Sequence, residues 1–247
     1  MPSLLLSTIP RPVQNRNGTW EYSRQTGSDI VEFGTVRGCD VALPPHFHDD
    51  DQVTFVLSGR RRFVIRDEVV TLSSGQGARI PAGTPHRSLS EPYDVACVNL
   101  YLPPGAHAAP DLMDSMARHW RGKGRFDWRD LRAMVEDHRC VAARSPRPTT
   151  ERTTTERLGG EAWESVRQAA QRVGLSREGY TRRFKRDCGL PPHAFWLLEK
   201  LNDARRLLRA GDSIAGVAAE TGFADQSHLG RCFRRAFGVT PGRYRAG

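Results

Sequence analysis

The chain has 247 residues and a mass of 27.7 kDa, material for one large domain or two modest ones, each able to bury a core without disulfides or metals. Its composition, 38% hydrophobic and 26% charged with a mean hydropathy of −0.55, excludes a helical membrane protein. The longest apolar stretches, Leu4 to Leu6 and Val53 to Leu57, fall far short of the roughly 20 residues a spanning helix needs. The net charge of +9 is unevenly placed: residues 1–143 carry 17 basic and 17 acidic side chains, residues 144–247 carry 20 against 11. The whole excess lies in the second part, as expected when one domain meets a polyanion and the other does not.

In chain order, Met1 to Pro12 lacks a basic n-region, a long apolar stretch and a small-residue cleavage site, so export is not expected. Five scattered cysteines (Cys39, Cys97, Cys140, Cys188, Cys232) with no Cys-x-x-Cys pair point to reduced thiols and a cytoplasmic protein. Residues ~30–102 hold short β-branched and aromatic runs (Val53–Leu57, Arg62–Ile65, Val69–Leu72, Val95–Leu100) separated by Gly and Pro, the pattern of a small β-barrel or sandwich. His46, His48 and Gln52 share parity and so face one side of an extended segment. Asp49 to Asp51 reads as a solvated turn, with an oxygen ligand as the alternative. Residues ~110–142 turn helical, with Leu131, Met134, Val135 and His138 on one face, which either packs on the barrel or forms a dimer contact.

Residues 144–160, with two prolines, five threonines and a closing Gly-Gly, cannot bury a face and read as a linker. Beyond it two stretches share one punctuation, offset by 48 to 49 residues: Phe184, Gly189, Pro192 and Phe195 in the first, Phe233, Gly238, Pro241 and Tyr244 in the second. Each copy predicts a helix (Ala162 to Val173; Ile214 to Thr221) closed by Gly174 or Gly222. A turn follows, then an N-cap at Ser176 or Asp225 and a second helix burying Tyr180 and Phe184, or Leu229, Phe233 and Phe237. Helix, glycine turn and a second helix with a polar, basic outer face form a helix-turn-helix, whose second helix fits the DNA major groove. Phe195 to Ala210 predicts one strong helix, closed by Gly211, as a spacer between the units. Successive major-groove segments lie about 34 Å apart on one DNA face, so one chain can present both units to adjacent grooves.

The motifs Ala-Arg-Arg-Leu-Leu (204–208), Gly-Phe-x-Asp-Gln-Ser (222–227) and Phe-Arg-Arg-x-Phe-Gly-Val-Thr-Pro (233–241) resemble the AraC/XylS family of bacterial transcription regulators over about 161–245. The resemblance implies base contacts by Glu178, Thr181 and Arg182 in the first unit and by Gln226, Ser227 and Arg231 in the second. It implies phosphate contacts by Arg177, Lys185 and Arg234. The chain departs from the pattern by placing Gly179 and Gly230 inside the recognition helices, where glycine costs up to about 1 kcal/mol against alanine.

In the neutral half, His46-x-His48, Gln52 and Gly59, followed by the stretch Gly75 to His86 with Pro81 and Gly83, resemble the two cupin motifs. They imply a cupin-like barrel and an effector pocket with His46, His48, Gln52, Arg62, His86 and Trp20 as candidates. Metal-binding cupins hold a divalent ion with three histidines and an acid. Here Gln52 replaces the acid, and His46, His48 and His86 remain as candidate ligands. A cofactor-free pocket is the other reading.

The expected architecture is a multidomain α+β protein. A cupin-like effector-binding or dimerisation domain (1–143) with a helical extension is joined by the linker (144–160) to an all-α domain with two helix-turn-helix units (161–247). The expected function is sequence-specific regulation of transcription in response to a small-molecule effector. The expected partners are double-stranded DNA, the effector, RNA polymerase and a second copy of the chain, with no membrane. The alternative is a metal-dependent cupin enzyme or metal sensor with a helical appendage. No catalytic triad, phosphate loop or carboxylate pair stands out, so a non-enzymatic role is favoured.

Overall fold

A computed structural model describes residues 18–140 and 165–247; the opening segment, the 144–160 linker and Ala162 to Glu164 lie outside the described residues. The first part contains β1 (Thr19–Ser23), β2 (Glu32–Gly38), β3 (Leu43–His46), β4 (Asp51–Ser58), β5 (Arg60–Ile65), β6 (Glu68–Ser73), β7 (Gly77–Ile80), β8 (His86–Ser88) and β9 (Val95–Leu102). They form two antiparallel sheets, ordered β1-β2-β9-β4-β7 and β3-β8-β5-β6. The four predicted runs fall in β4, β5, β6 and β9.

β4 and β9 are buried on both faces, which explains their unbroken apolar runs. Val53, Phe55, Val98 and Leu100 pack outward under α1 (Ala109–Lys123) and α2 (Trp128–Asp137). The opposite parity, Val56 and Cys97, joins Val36, Phe63, Leu72 and Ile80 inside the barrel. Asp127 caps α2 by accepting from Asp130 N at 2.8 Å. Leu131, Met134 and Val135 are buried in the cluster with Phe33 and Phe55, so this face packs on the barrel and is not the dimer contact entertained from sequence. His138 turns back instead, its Nδ1 2.7 Å from Met134 O.

The second part contains α3 (Val166–Arg172), α4 (Arg177–Cys188), α5 (Pro192–Ala210), α6 (Ile214–Glu220), α7 (Gln226–Phe237) and α8 (Pro241–Ala246). Gly174 and Gly222 take the left-handed conformation at φ +67° and +68°, ending α3 and α6 as the sequence predicts. Ser176 Oγ accepts from Gly179 N at 3.1 Å and Asp225 Oδ1 from His228 N at 2.7 Å, which starts α4 and α7. The repeat extends further than a helix pair: Gly189 and Gly238 close α4 and α7, and Pro192 and Pro241 open α5 and α8. The spacer therefore begins three residues before Phe195, because proline at the first turn loses no helical hydrogen bond and fixes φ. With 19 residues it is about 28 Å long.

The helical core of Tyr180, Phe184, Leu201, Phe233 and Phe237 also contains Phe47 of the barrel. Phe47 stacks on Phe195 with ring centroids 4.9 Å apart. The repeat-equivalent residue, Tyr244, also touches the barrel, through Tyr22 at 5.4 Å.

Candidate functional site

Both recognition helices hold their buried stripe inward and their polar stripe outward. Tyr180, Phe184, Leu229 and Phe233 are fully buried. On α4 the candidate DNA contacts Arg177, Glu178, Arg182 and Lys185 are exposed, and Thr181 is half-buried with its Oγ1 donating to Arg177 O at 2.8 Å. On α7 Gln226, Ser227, Arg231 and Arg234 are exposed. These nine side chains thus lie on the two faces that a pair of grooves would meet. A Cβ added at Gly230 would meet nothing within 4 Å, so the missing side chain is not a packing requirement. Gly230→Ala is expected to raise the melting temperature by about 2–4 °C, from roughly 1 kcal/mol of recovered helix propensity; calorimetry of the two chains checks it.

In the barrel, β3, β4 and β8 bring together His46, His48, Gln52 and His86, all buried. Ring centroids lie 4.9 Å apart for His46 and His48, 4.4 Å for His46 and His86, and 5.2 Å for His48 and His86. His46, Gln52 and His86 border a cavity of ≈ 20 Å³ whose wall also includes Trp20, Tyr22, Asn99 and Tyr101. That is space for a water molecule or a small ion, not for an organic effector in this arrangement. Gln52 Nε2 donates to Asn99 Oδ1 at 2.9 Å, which fixes the amide.

Two sequence expectations are corrected here. Arg62 does not face the cavity: it reaches outward to Glu91 at 3.0 Å and to Ser90 O at 3.0 Å. Its neighbour Arg61 lines the wall, donating to Val41 O at 2.9 Å and Ser88 Oγ at 2.8 Å. Phe63 is buried inside the barrel, and period-two alternation puts Arg61, not Arg62, on its side. Asp51 is neither solvated nor a candidate ligand. Its carboxylate accepts from Arg79 at 2.8 Å, Ala82 N at 2.8 Å and Gly105 N at 2.9 Å, a clamp on the strand end.

The group that covers the histidines is not among the site residues expected from sequence. Arg205, from the middle of α5, is 1% exposed. Its Nη1 lies 2.7 Å from His48 Nδ1, its Nη2 donates to Glu32 and its Nε donates to Tyr244 Oη at 3.1 Å. Tyr244 in turn donates to Glu32. The guanidinium carbon sits 4.4 Å from the Tyr101 ring centre and 5.0 Å from that of Phe237. Around this centre Asn202 donates to Phe47 O at 3.2 Å, Tyr22 to Phe237 O at 3.0 Å and Arg209 to Asp50 at 2.8 Å. The helical domain is thereby seated on the mouth of the barrel.

The electrostatics follow from this burial. Desolvation works against the charge of Arg205, but Glu32 and then the three tyrosines outweigh it and raise its pKa well above the usual value. Burial pushes the Tyr101 phenol up to about 12. Burial also holds His46 and His48 well below the ordinary histidine value, helped by His86 for the first and Arg205 for the second, and brings His86 down to about 4. All three imidazoles are neutral at pH 7. The unfolded chain binds their protons near pH 6.5 and the folded chain does not, so stability is present above that pH and is lost as pH falls towards 4. For His86 alone the loss approaches roughly 3 kcal/mol. Urea unfolding in chelator-treated buffer is expected to show a falling midpoint between pH 6.5 and 4.5; replacing His86 with Gln should make the fall shallower, with His46 and His48 supplying the remainder.

Neutral imidazoles are the form that ligates a metal, and one donor atom from each of His46, His48 and His86 lies within 4.8 Å of the others. His46 and His86 suit the role, because their Nδ1–H groups donate to Pro44 O at 2.8 Å and Thr84 O at 2.9 Å, leaving Nε2 as a lone pair. His48 does not. An arginine can only donate, so Nδ1 of His48 is the acceptor and its proton resides on Nε2, which is buried without a well-formed hydrogen bond. With Arg205 in place, the triad offers two lone pairs, not three.

Fold and site together define a two-part protein: a small antiparallel barrel with a buried histidine cluster, covered by a domain of paired helix-turn-helix units. A helix-turn-helix domain family matches residues 169–247 and a cupin domain family matches residues 38–96. The chain is 42% identical over 74 residues to the HTH-type transcriptional regulator MtrA of Neisseria gonorrhoeae, covering 30% of this chain and 25% of that one. It is 38% identical over 87 residues to the HTH-type transcriptional activator RhaS of Escherichia fergusonii, covering 35% and 30%. The chain thus spans less than a third of the length of these two relatives. A longer match, 25% identical and covering 85% of this chain and 94% of the other, is to the probable transcriptional regulator LumQ of Photobacterium leiognathi. Among solved structures, ToxT from Vibrio cholerae aligns over 94% of this chain and 98% of its own with 9% identity and a TM-score of 0.48. The matches give the chain a cupin domain ahead of a helix-turn-helix domain, and these relatives are named as transcriptional regulators.

Proposed function

We propose that this protein is a sequence-specific DNA-binding regulator of transcription whose barrel senses a small ligand and whose helical domain binds a promoter or operator. The observation that carries the reading is the pair of exposed basic recognition faces, in the part of the chain with all the excess charge, seated directly on a buried polar pocket. Arg182 and Arg231 read guanine edges and Gln226 an adenine edge, as their donor geometry favours. Glu178, Thr181 and Ser227 supply further base contacts, and Arg177, Lys185 and Arg234 hold phosphates.

Ligand in the barrel shifts the population between seated and released arrangements by binding one more tightly. Because the seated cavity is so small, an organic effector binds the released form. RNA polymerase and a second copy of the chain are the further partners of such a regulator, and the cytoplasm is its place. Among the described residues no helix is long and apolar enough to cross a membrane. The role is not enzymatic: the buried imidazoles are engaged with the protein's own backbone and Arg205.

Hydroxyl-radical footprinting of the full chain on the DNA flanking its own gene tests this. Two protected stretches about one helical turn apart on one DNA face are expected. Absence of protection on any promoter-proximal fragment at low salt would sink the reading.

A further inference from the structure

We infer that Arg205 excludes a divalent metal ion from the three-histidine cluster, so that the ion and the seated helical domain compete for His48. The inference concerns the pocket of the proposed regulator but does not depend on DNA binding. It starts from proton positions that the partners dictate. Backbone carbonyls at Pro44 and Thr84 fix His46 and His86 with Nδ1–H and a free Nε2 lone pair. The guanidinium fixes His48 in the opposite tautomer, with Nε2–H buried among the rings, the Gln52 amide beside it and no well-formed hydrogen bond. A third ligand bond from Nε2 requires the His48 proton to move to Nδ1. That would set an N–H against an Arg205 N–H across 2.7 Å, donor facing donor. The two states cannot coexist, and neither nitrogen of His48 can serve both masters at once.

The link to the rest of the molecule is direct, because Arg205 is on α5, the spacer between the two helix-turn-helix units. Releasing it also breaks its contacts with Glu32 and Tyr244 and uncovers Tyr101 and Phe237. A metal of borderline softness, such as Zn²⁺ or Co²⁺, would complete its coordination with two lone pairs already waiting and a third gained on release. Seating of the helical domain is thus read as a lock on the ion site, and loading of the site as a reason for the domain to leave.

Cobalt(II) titration of the full chain is the test, followed by visible d–d absorption and by small-angle X-ray scattering. The wild-type chain is expected to bind weakly, with its radius of gyration rising as the site fills. Arg205→Met, paired with Glu32→Gln so that no buried carboxylate is stranded, is expected to bind Co²⁺ at least tenfold more tightly. His46→Ala should abolish the tetrahedral absorption. Wild-type binding with an unchanged scattering profile would overturn the inference. So would a double variant that binds no more tightly than wild type, or cobalt absorption that survives His46→Ala. If the double variant does not fold, the scattering change of the wild-type chain on loading still decides the matter.

Discussion

Replacing Glu32 with alanine is expected to weaken the seat of the helical domain by about 3–5 kcal/mol, the largest effect foreseen for any single substitution at the domain boundary. Glu32 is 0% exposed and accepts from both Arg205 and Tyr244. Its loss leaves a guanidinium buried with only a neutral imidazole and a phenol as partners. The cost is set by desolvation of that stranded charge more than by the net worth of the pair. Removing both charges with Glu32→Gln and Arg205→Met should recover most of it, since an amide can still accept from Tyr244. A double-mutant cycle read by hydrogen exchange along α5 and α8 measures the coupling; a single Glu32→Ala change that leaves exchange there unaltered would contradict this account. The chain has an escape that an ordinary core lacks. Arg205 can regain water by undocking, so increased exchange at α5, α8 and β1 without global unfolding is the expected form of the defect. The flanking pairs Arg209–Asp50 and Arg243–Glu21 are 2.8 Å long and lie nearer the surface, the second fully so, and do not replace it.

The second large effect concerns DNA. Arg182→Ala and Arg231→Ala are each expected to cost about 1–3 kcal/mol on the preferred site and much less on unrelated duplex, relaxing specificity at the bases they read. Lys185→Ala and Arg234→Ala should instead weaken all duplexes alike and reduce the salt slope by roughly one each. The distinction follows from placement along the recognition helices. Arg182 and Arg231 stand midway along α4 and α7 on their exposed faces, while Lys185 and Arg234 follow three residues later, towards the helix ends. Competition titrations of specific against random duplex separate the two classes. Equal losses on both duplexes for Arg231→Ala would demote it to a phosphate contact.

Much of the helical half was legible because its signals are local. Gly174, Gly222, Ser176 and Asp225 do in the structure what their chemistry requires, and the offset repeat correctly marks equivalent turns. The start of α5 was missed by three residues because Pro191-Pro192 reads as a break, whereas the second proline opens the helix. In the barrel the histidines converge as parity predicts, but Arg62 was named in place of Arg61. Anchoring β5 on Phe63 would have given the right face.

Arg205 was not legible as a site residue, since its partners Glu32, His48 and Tyr101 come from barrel segments distant in sequence. A trace was present: it stands four residues after Leu201 and three before Leu208, inside the apolar stripe of α5, where an unpaired arginine has no place. The charge balance is sharpened in the same way. Arg205, Arg209 and Arg243 pair with Glu32, Asp50 and Glu21, so part of the excess holds the barrel and does not face DNA.

The most direct test of the central claim is the affinity of the full chain for promoter-proximal duplex as a function of salt. The prediction is a logarithmic plot falling linearly with a slope of several units, as expected for two recognition helices that each displace counterions from phosphates. A slope near zero, or no binding at about 50 mM salt, would contradict it.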